Sequence, residues 1–361
     1  MKTNRRNFIK KTSFALAAST VPFSNIYALK PKETLGVALV GLGYYSTDVL
    51  APALKLTKHC RLTGIVTGSP HKIPKWQKQY GIKDKNVYNY DNMHEITNNP
   101  DIDVIYIVLP TGLHAKYAIK AANSGKHVWC EKPMARTAIE CQAIIDACKK
   151  NKVKLSIGYR MQHEPNTQKI MKWAKTKPYG DIQTVSARAG YYDPRENHWK
   201  LKKEMGGGAL YDMGVYSING IRYSTGEEPI KVLSASHSTE RPELFSEVDE
   251  TTFFKFEFPS GAIGRGWTSF GKSMNELTVT TKDGFYILKP FQSYSGVRGY
   301  TCTDEKLLPF KGNQQAKQMD DDSLSILNNT NVLVPGEEGM KDIVLVEAIY
   351  KSAKTGSEVK L

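Results

Sequence analysis

Leu35-Gly36-Val37-Ala38-Leu39-Val40 is an apolar run of strand length that stops at Gly41-Leu42-Gly43-Tyr44-Tyr45-Ser46, and a helical stretch begins near Thr47. Strand, glycine turn and helix is the context that gives a G-x-G its mechanical meaning. Gly41 permits the tight turn. The missing side chain at Gly43 lets the backbone N–H groups of Leu42 to Tyr44 approach a pyrophosphate, and the helix N-terminus adds its partial positive charge. Ser46 stands in place of a third glycine, so strand and helix are expected to pack slightly farther apart.

Downstream, the same alternation repeats. The next strand, Arg61 to Val66, ends in Thr67-Gly68-Ser69-Pro70-His71-Lys72 with no acid in the position that would hold a ribose 2′-hydroxyl. A hydroxyl at Thr67 or Ser69 with a cation at Lys72 suits a 2′-phosphate, which favours NADP over NAD. Lys72, Lys75 and Lys78 would equally serve as the wet face of a helix. Asp103 to Leu109 is a buried strand broken by Pro110, and a helix from Leu113 stops at Gly125. Lys126 to Cys130 is a further strand, ending in Glu131-Lys132-Pro133. Thr137 and Glu140 form a capping box for a helix reaching about Lys150. Residues 35–156 therefore read as a Rossmann-type, doubly wound parallel sheet. Residues 157–361 read as an α+β domain with an open, mainly antiparallel sheet. A glycine turn and helix over about 206–223 precede strands at Ile230–Ser236, Thr251–Phe258, Ala262–Phe270, Leu277–Thr281 and Phe285–Leu288, and a helix runs from about Pro335 to Lys354. The fold class is α/β.

A chain of 361 residues with 40% hydrophobic and 24% charged residues is globular, and has room for two such domains. The net charge of +14 comes from lysines scattered among acids, so it marks no nucleic-acid stripe. No apolar run is long enough for stable membrane insertion. The five cysteines form no C-x-x-C pair and no cluster with histidine, which removes structural zinc, so no metal is expected. Asn4-Arg5-Arg6-Asn7-Phe8-Ile9-Lys10-Lys11, then a modest apolar stretch and small residues around Ala28, reads as a twin-arginine export signal over residues 1–28, with a periplasmic destination.

Two constellations could carry chemistry. Lys132 falls at the carboxyl end of a strand of the parallel sheet, where ligands of such folds bind. Gly206-Gly207-Gly208 open a helix on which Asp212 and Tyr216, four apart, share a face; the glycines would allow close approach of a ligand. A phenol titrating near pH 10 is a poor base at neutral pH, and a nearby ammonium favours the phenolate. Lys132 would supply that ammonium and Asp212 would orient it.

In combination, Gly41-Leu42-Gly43, Cys130-Glu131-Lys132-Pro133, Gly158-Tyr159-Arg160, the glycine-rich helix with Asp212 and Tyr216, and Gly336-Glu337-Glu338-Gly339-Met340 resemble the Gfo/Idh/MocA oxidoreductases over about residues 35–361. Within that family the chain is most similar to the glucose–fructose oxidoreductase branch, from which it departs in having only about Leu29 to Thr34 where the branch carries a long proline-rich arm. The resemblance implies hydride transfer between a sugar carbon and nicotinamide, with Tyr216 as acid–base, Lys132 stabilising the oxygen and Asp212 holding both in register. It implies sugar contacts from Tyr159, Arg160 and Trp199, and a nucleotide site completed by Tyr90, Pro110, His114 and Glu131. A homodimer or homotetramer through the C-terminal sheet is also implied. Other roles on the same fold are an NAD-dependent glycoside hydrolase and a non-catalytic nucleotide or sugar sensor.

Overall fold

The computed structural model describes residues 32–361, and residues 33–361 form one compact unit. The expected export signal at residues 1–28 lies outside the described residues. Six parallel strands make the first sheet: β1 (Leu35–Val40), β2 (Cys60–Val66), β3 (Val87–Tyr88), β4 (Val104–Ile107), β5 (His127–Cys130) and β6 (Leu155–Ile157), in the order β3-β2-β1-β4-β5-β6. That order reverses between β1 and β4, and the carboxyl ends beside this switch point form the ligand-binding crevice of a doubly wound sheet. Every residue of β1 is buried, as a strand covered on both faces requires. Around it lie α1 (Ala51–Leu54), α2 (Ile73–Tyr80), α3 (Thr111–Asn123) and α4 (Ala138–Lys150). The capping box at α4 is present on its N-cap side, where Thr137 accepts from the Glu140 N–H at 3.1 Å. The Glu140 carboxylate reaches back to the Arg136 N–H rather than to that of Thr137.

The second sheet is mixed and mostly antiparallel, in the order β14-β13-β12-β11-β7-β10-β9-β8-β15. Its strands are β7 (Ile182–Gly190), β8 (Lys231–Ser238), β9 (Thr251–Glu257), β10 (Ile263–Ser269), β11 (Met274–Thr281), β12 (Phe285–Leu288), β13 (Gly299–Thr301), β14 (Lys306–Leu307) and β15 (Val359–Lys360). The central strand β7, which the sequence pattern did not reveal, runs parallel to β10 and antiparallel to β11. Helix α5 (Pro165–Thr176) was also unforeseen; α6 (Val215–Thr225) packs on β7 and β10. Helix α7 (Gln314–Leu327) follows the second sheet in sequence yet packs against α1 and β2 of the first, where Asp320 accepts from the N–H groups of Lys58 and His59. Helix α8 (Gly336–Thr355) lies against α4, α6 and β8, so it joins both layers.

Candidate active site

The site forms at the carboxyl ends of the first sheet, facing the start of α6. At the end of β1, Gly41 has φ +93°, and a Cβ there would lie 2.4 Å from the Val108 carbonyl, so only glycine fits this turn. A Cβ on Gly43 would meet nothing within 4 Å: its role is to leave the loop open. Ser46 is fully buried and donates to the Gly41 carbonyl at 2.6 Å. Its hydroxyl thus closes the glycine turn on itself, in place of the close glycine contact of a G-x-G-x-x-G. The helix after this turn begins with a π-helical turn, Tyr45–Leu50, before α1. Tyr44 is exposed at the loop tip.

A cavity of about 480 Å³ opens beyond β2, its lining including Thr67, Gly68, Pro70, Tyr88, Tyr90 and Asp91. Buried Thr67 accepts from the Ser69 N–H at 3.0 Å, shaping the turn. Lys72 Nζ donates to the Leu42 carbonyl at 2.7 Å, which places a cation between the glycine loop and the end of β2. Tyr90 packs on Tyr117 at a tilt of 49°, with ring centroids 5.0 Å apart, and flanks Gly68. A dinucleotide fits these residues: an open glycine turn at a helix start, an apolar-walled cavity beside it, and a cation rather than an acid at the end of β2. Pro110 caps α3. His114 is buried with its ring nitrogens 2.8 and 2.7 Å from the carbonyls of Pro133 and Leu109, so it braces the crevice from behind and does not face into it.

At the end of β5, Glu131 is buried with its carboxylate turned inward, accepting from Tyr106 Oη at 2.6 Å and from the Lys132 N–H at 3.3 Å. Burial, only partly offset by Tyr106 and Lys132, pushes it up to about 7. Lys132 Nζ donates to the Asp212 carbonyl at 2.7 Å, stands 3.6 Å from Asp212 Oδ1, and lies over the Tyr216 ring 4.4 Å from its centroid. Burial works against the Lys132 charge, yet Tyr216, Asp212 and Glu131 together raise it above its ordinary value. Against the cost of its own burial, Asp212 is held at about 2 by Lys200 and then Lys132. Among the described residues, the Tyr216 hydroxyl carries no hydrogen bond. The structure thus brings together Lys132, Asp212 and Tyr216.

Two expectations about the local frame need correction. Residues Leu210–Gly214 form a π-helical turn and α6 begins only at Val215, so Asp212 and Tyr216 do not stand on one regular α-helix. The wider turn lets the Asp212 carbonyl receive Lys132, and such turns occur often at functional sites. The three glycines make room for the protein itself: an added Cβ would meet Thr111 at Gly206, the Lys200 carbonyl at Gly207, and the Asp249 carboxylate at Gly208, where φ is +106°.

The three expected sugar contacts divide. Tyr159 is fully buried in the core, where burial and the neighbouring Asp342 carboxylate push its phenol well above the ordinary value; a sugar cannot reach it. Arg160 is also buried, donating to the carbonyls of Gln292 and Ser293 and to Gln314 Oε1, with its guanidinium 5.6 Å from the Tyr216 ring centroid and 4.8 Å from that of Tyr294. It supports the floor of the site. Trp199 is half-buried, beside Lys200. Residues that sequence reasoning missed are Lys200, Tyr191, Tyr45 and Tyr294. Lys200 donates to Asp212 Oδ2 at 2.6 Å and to Tyr191 Oη at 3.0 Å, and Tyr45 and Tyr294 meet at 5.8 Å between centroids.

The geometry can be set beside known proteins. The family model for the GFO/IDH/MocA NAD-binding Rossmann fold matches residues 35–159, and that for the GFO/IDH/MocA C-terminal domain matches residues 167–286. The crystal structure of aldose-aldose oxidoreductase from Caulobacter crescentus, complexed with glycerol, is 37% identical, covers 91% of this chain and 100% of that one, and superposes with a TM-score of 0.87.

The chain belongs to the Gfo/Idh/MocA oxidoreductase family.

It is an NAD(P)-dependent oxidoreductase acting on CH–OH groups. D-xylose 1-dehydrogenase [NADP(+)] of Haloarcula marismortui is 25% identical over 335 residues, covering 90% of this chain and 92% of its own. A levoglucosan dehydrogenase, solved with NADH and levoglucosan, is 21% identical over 91% of this chain and 99% of its own, with a TM-score of 0.78, and shares the fold.

Proposed function

We propose that this enzyme is an NADP-dependent sugar oxidoreductase, oxidising an aldose to a lactone or reducing a ketose in the manner of glucose–fructose oxidoreductase. The observation that carries the reading is the Lys132 ammonium poised over the Tyr216 ring, at the strand ends where the nucleotide loop converges. When bound through Gly41 to Tyr44, Thr67 to Lys72 and Tyr90, the nucleotide supplies the two-electron acceptor or donor for the sugar carbon. In its ionised form Tyr216 takes the proton from the hydroxyl being oxidised, through a phenol oxygen that no side chain or backbone group among the described residues hydrogen-bonds. The Lys132 ammonium favours the ionised form of Tyr216 beforehand and stabilises the negative charge that develops on the substrate oxygen as the proton moves. Asp212 fixes Lys132 through its backbone carbonyl and carboxylate, and offers that carboxylate to a neighbouring sugar hydroxyl. In the reverse direction, Tyr216 returns the proton. The name of the Caulobacter relative supports a cycle in which one sugar is oxidised and another reduced.

The reading includes export by the twin-arginine route, supported by the sequence of residues 1–28: the Arg5-Arg6 pair, the apolar stretch after it and the small residues around Ala28. It also includes a homo-oligomer through the outer face of the second sheet, supported by the exposed Phe253, Phe285 and Tyr300. Purified protein is denatured, any released nucleotide is identified, and nicotinamide absorbance of the intact enzyme is followed on adding a panel of aldoses and ketoses. Released NADP and sugar-dependent absorbance change are expected; an unchanged absorbance with every sugar, in enzyme supplied with NADP or NAD, refutes the reading.

A further inference from the structure

Asp212 stands between two ammonium groups, and the nearer is the one outside the expected catalytic set. Lys200 Nζ is 2.6 Å from Asp212 Oδ2, whereas Lys132 Nζ is 3.6 Å from Oδ1. Lys200 is itself held on the other side. Its Nζ is 3.0 Å from Tyr191 Oη and within 6 Å of the ring centroids of Tyr191, Trp199 and Phe270, at 5.4, 5.8 and 5.9 Å. Tyr191 Oη is in turn 3.1 Å from Asp193 Oδ2 and accepts from Arg195 Nη2 at 3.1 Å, and Arg195 clasps Asp193 at 2.7 and 2.6 Å.

The arrangement has an electrostatic consequence. A carboxylate paired with Lys132 alone would cancel much of the positive potential that Lys132 directs at the Tyr216 ring. Shared with Lys200, it orients Lys132 without neutralising it. Tyr191 Oη also donates to Asp212 Oδ2, at 3.4 Å against 2.6 Å for Lys200, and it brings no charge. The other charged or titratable groups facing Lys132 and Tyr216 are Arg160, Glu131, Tyr45 and Tyr294, and none of these four hydrogen-bonds the Asp212 carboxylate.

We infer that Lys200 is a positioning residue for the acid–base pair: by holding the Asp212 carboxylate at Oδ2 it keeps the Lys132 ammonium available to Tyr216 and to the substrate oxygen. This rests on the reading of Lys132 and Tyr216 proposed above.

Lys200→Met removes the ammonium with little change in side-chain length. Asp212 then pairs with Lys132, and the limb of the kcat/KM–pH profile that reports loss of the acid–base proton moves up by about one pH unit. At pH values below that limb, kcat/KM for sugar oxidation falls about tenfold, with kcat changing more than KM. Lys200→Arg restores most of the loss. In an Asp212→Asn background, Lys200→Met leaves the limb where it is, because the carboxylate through which Lys200 acts is gone. An unmoved limb with a raised KM overturns the inference in favour of direct sugar contact. A shift that persists in full in the Asp212→Asn background overturns it as well. NADP binding by each variant reports its folding, and Lys200→Gln carries the same expectations should the Met variant not fold. Wild-type enzyme that turns over beside an unmoved Lys200→Met profile defeats this inference alone; wild-type enzyme inert to every sugar defeats the functional reading.

Discussion

The Lys132 ammonium lies 4.4 Å from the centroid of the Tyr216 ring and is tethered by a 2.7 Å hydrogen bond to the carbonyl of Asp212. One residue comes from the end of a strand in the first sheet, the other from the helix that packs on the second. The acid–base pair therefore exists only when both layers are assembled around the crevice.

Tyr216→Phe keeps the ring under Lys132 and deletes only the proton-carrying oxygen. kcat is expected to fall by about 10²–10⁴-fold, the usual worth of a general acid–base group, with NADP affinity unchanged. Stopped-flow nicotinamide absorbance and a nucleotide titration check the two halves. Lys132→Met should lower kcat on a similar scale.

Nucleotide choice is argued from the end of β2, where Lys72 is anchored to the glycine loop and Thr67 is buried. Lys72→Glu replaces a cation with an acid where a 2′-phosphate would lie. The Kd for NADP is expected to rise roughly 10–100-fold, while that for NAD moves little. Fluorescence titration with both nucleotides checks this.

Glu131 titrates at about 7 in the folded protein, against 4.5 ordinarily, because it is buried. The folded protein then holds this proton more tightly than the unfolded chain, so its contribution to stability is present in full below about pH 4.5 and is lost as pH rises through about 7. Glu131→Gln cannot lose it. Between about pH 4 and about pH 8 the variant is expected to gain roughly 2–3 kcal/mol of stability relative to wild type. Urea unfolding at the two pH values measures the difference.

Asp342 is fully buried against Arg222, with Oδ1 2.5 Å from Nη1, and Arg222 also meets Glu228 and Glu338. Burial raises Asp342 to about 6 even with this partner. Asp342→Ala leaves the guanidinium buried with only its more exposed partners, so a loss of about 3 kcal/mol is expected, read by chemical denaturation.

How much of this was legible follows from what each segment packs against. The turn at Gly41 and the strand before it were readable because β1 is covered on both faces and therefore continuously apolar. Strand β7 escaped notice because its inward side chains include the small Ala187 and Ala189, which give little hydrophobic signal. Helix α7 buries Gln314, Gln315, Gln318, Asp322 and Ser323, a polar face that hydrophobic periodicity cannot report. The identities of Asp212 and Tyr216 were visible, but the π-helical turn between them was not: the Leu210 N–H is taken by the Asp249 carboxylate at 2.8 Å, a partner 39 residues away. Lys200 sits in a three-residue 3-10 turn, Trp199–Leu201, too short to show a period, and only the fold shows that it faces Asp212.

The central claim is most directly tested by mixing NADP-loaded enzyme with an aldose it oxidises, in a single turnover, and recording nicotinamide absorbance for wild type and Tyr216→Phe side by side. The account predicts rapid reduction in wild type and reduction slowed at least about 100-fold in the variant, with equal nucleotide occupancy. Equal rates in the two proteins would contradict it.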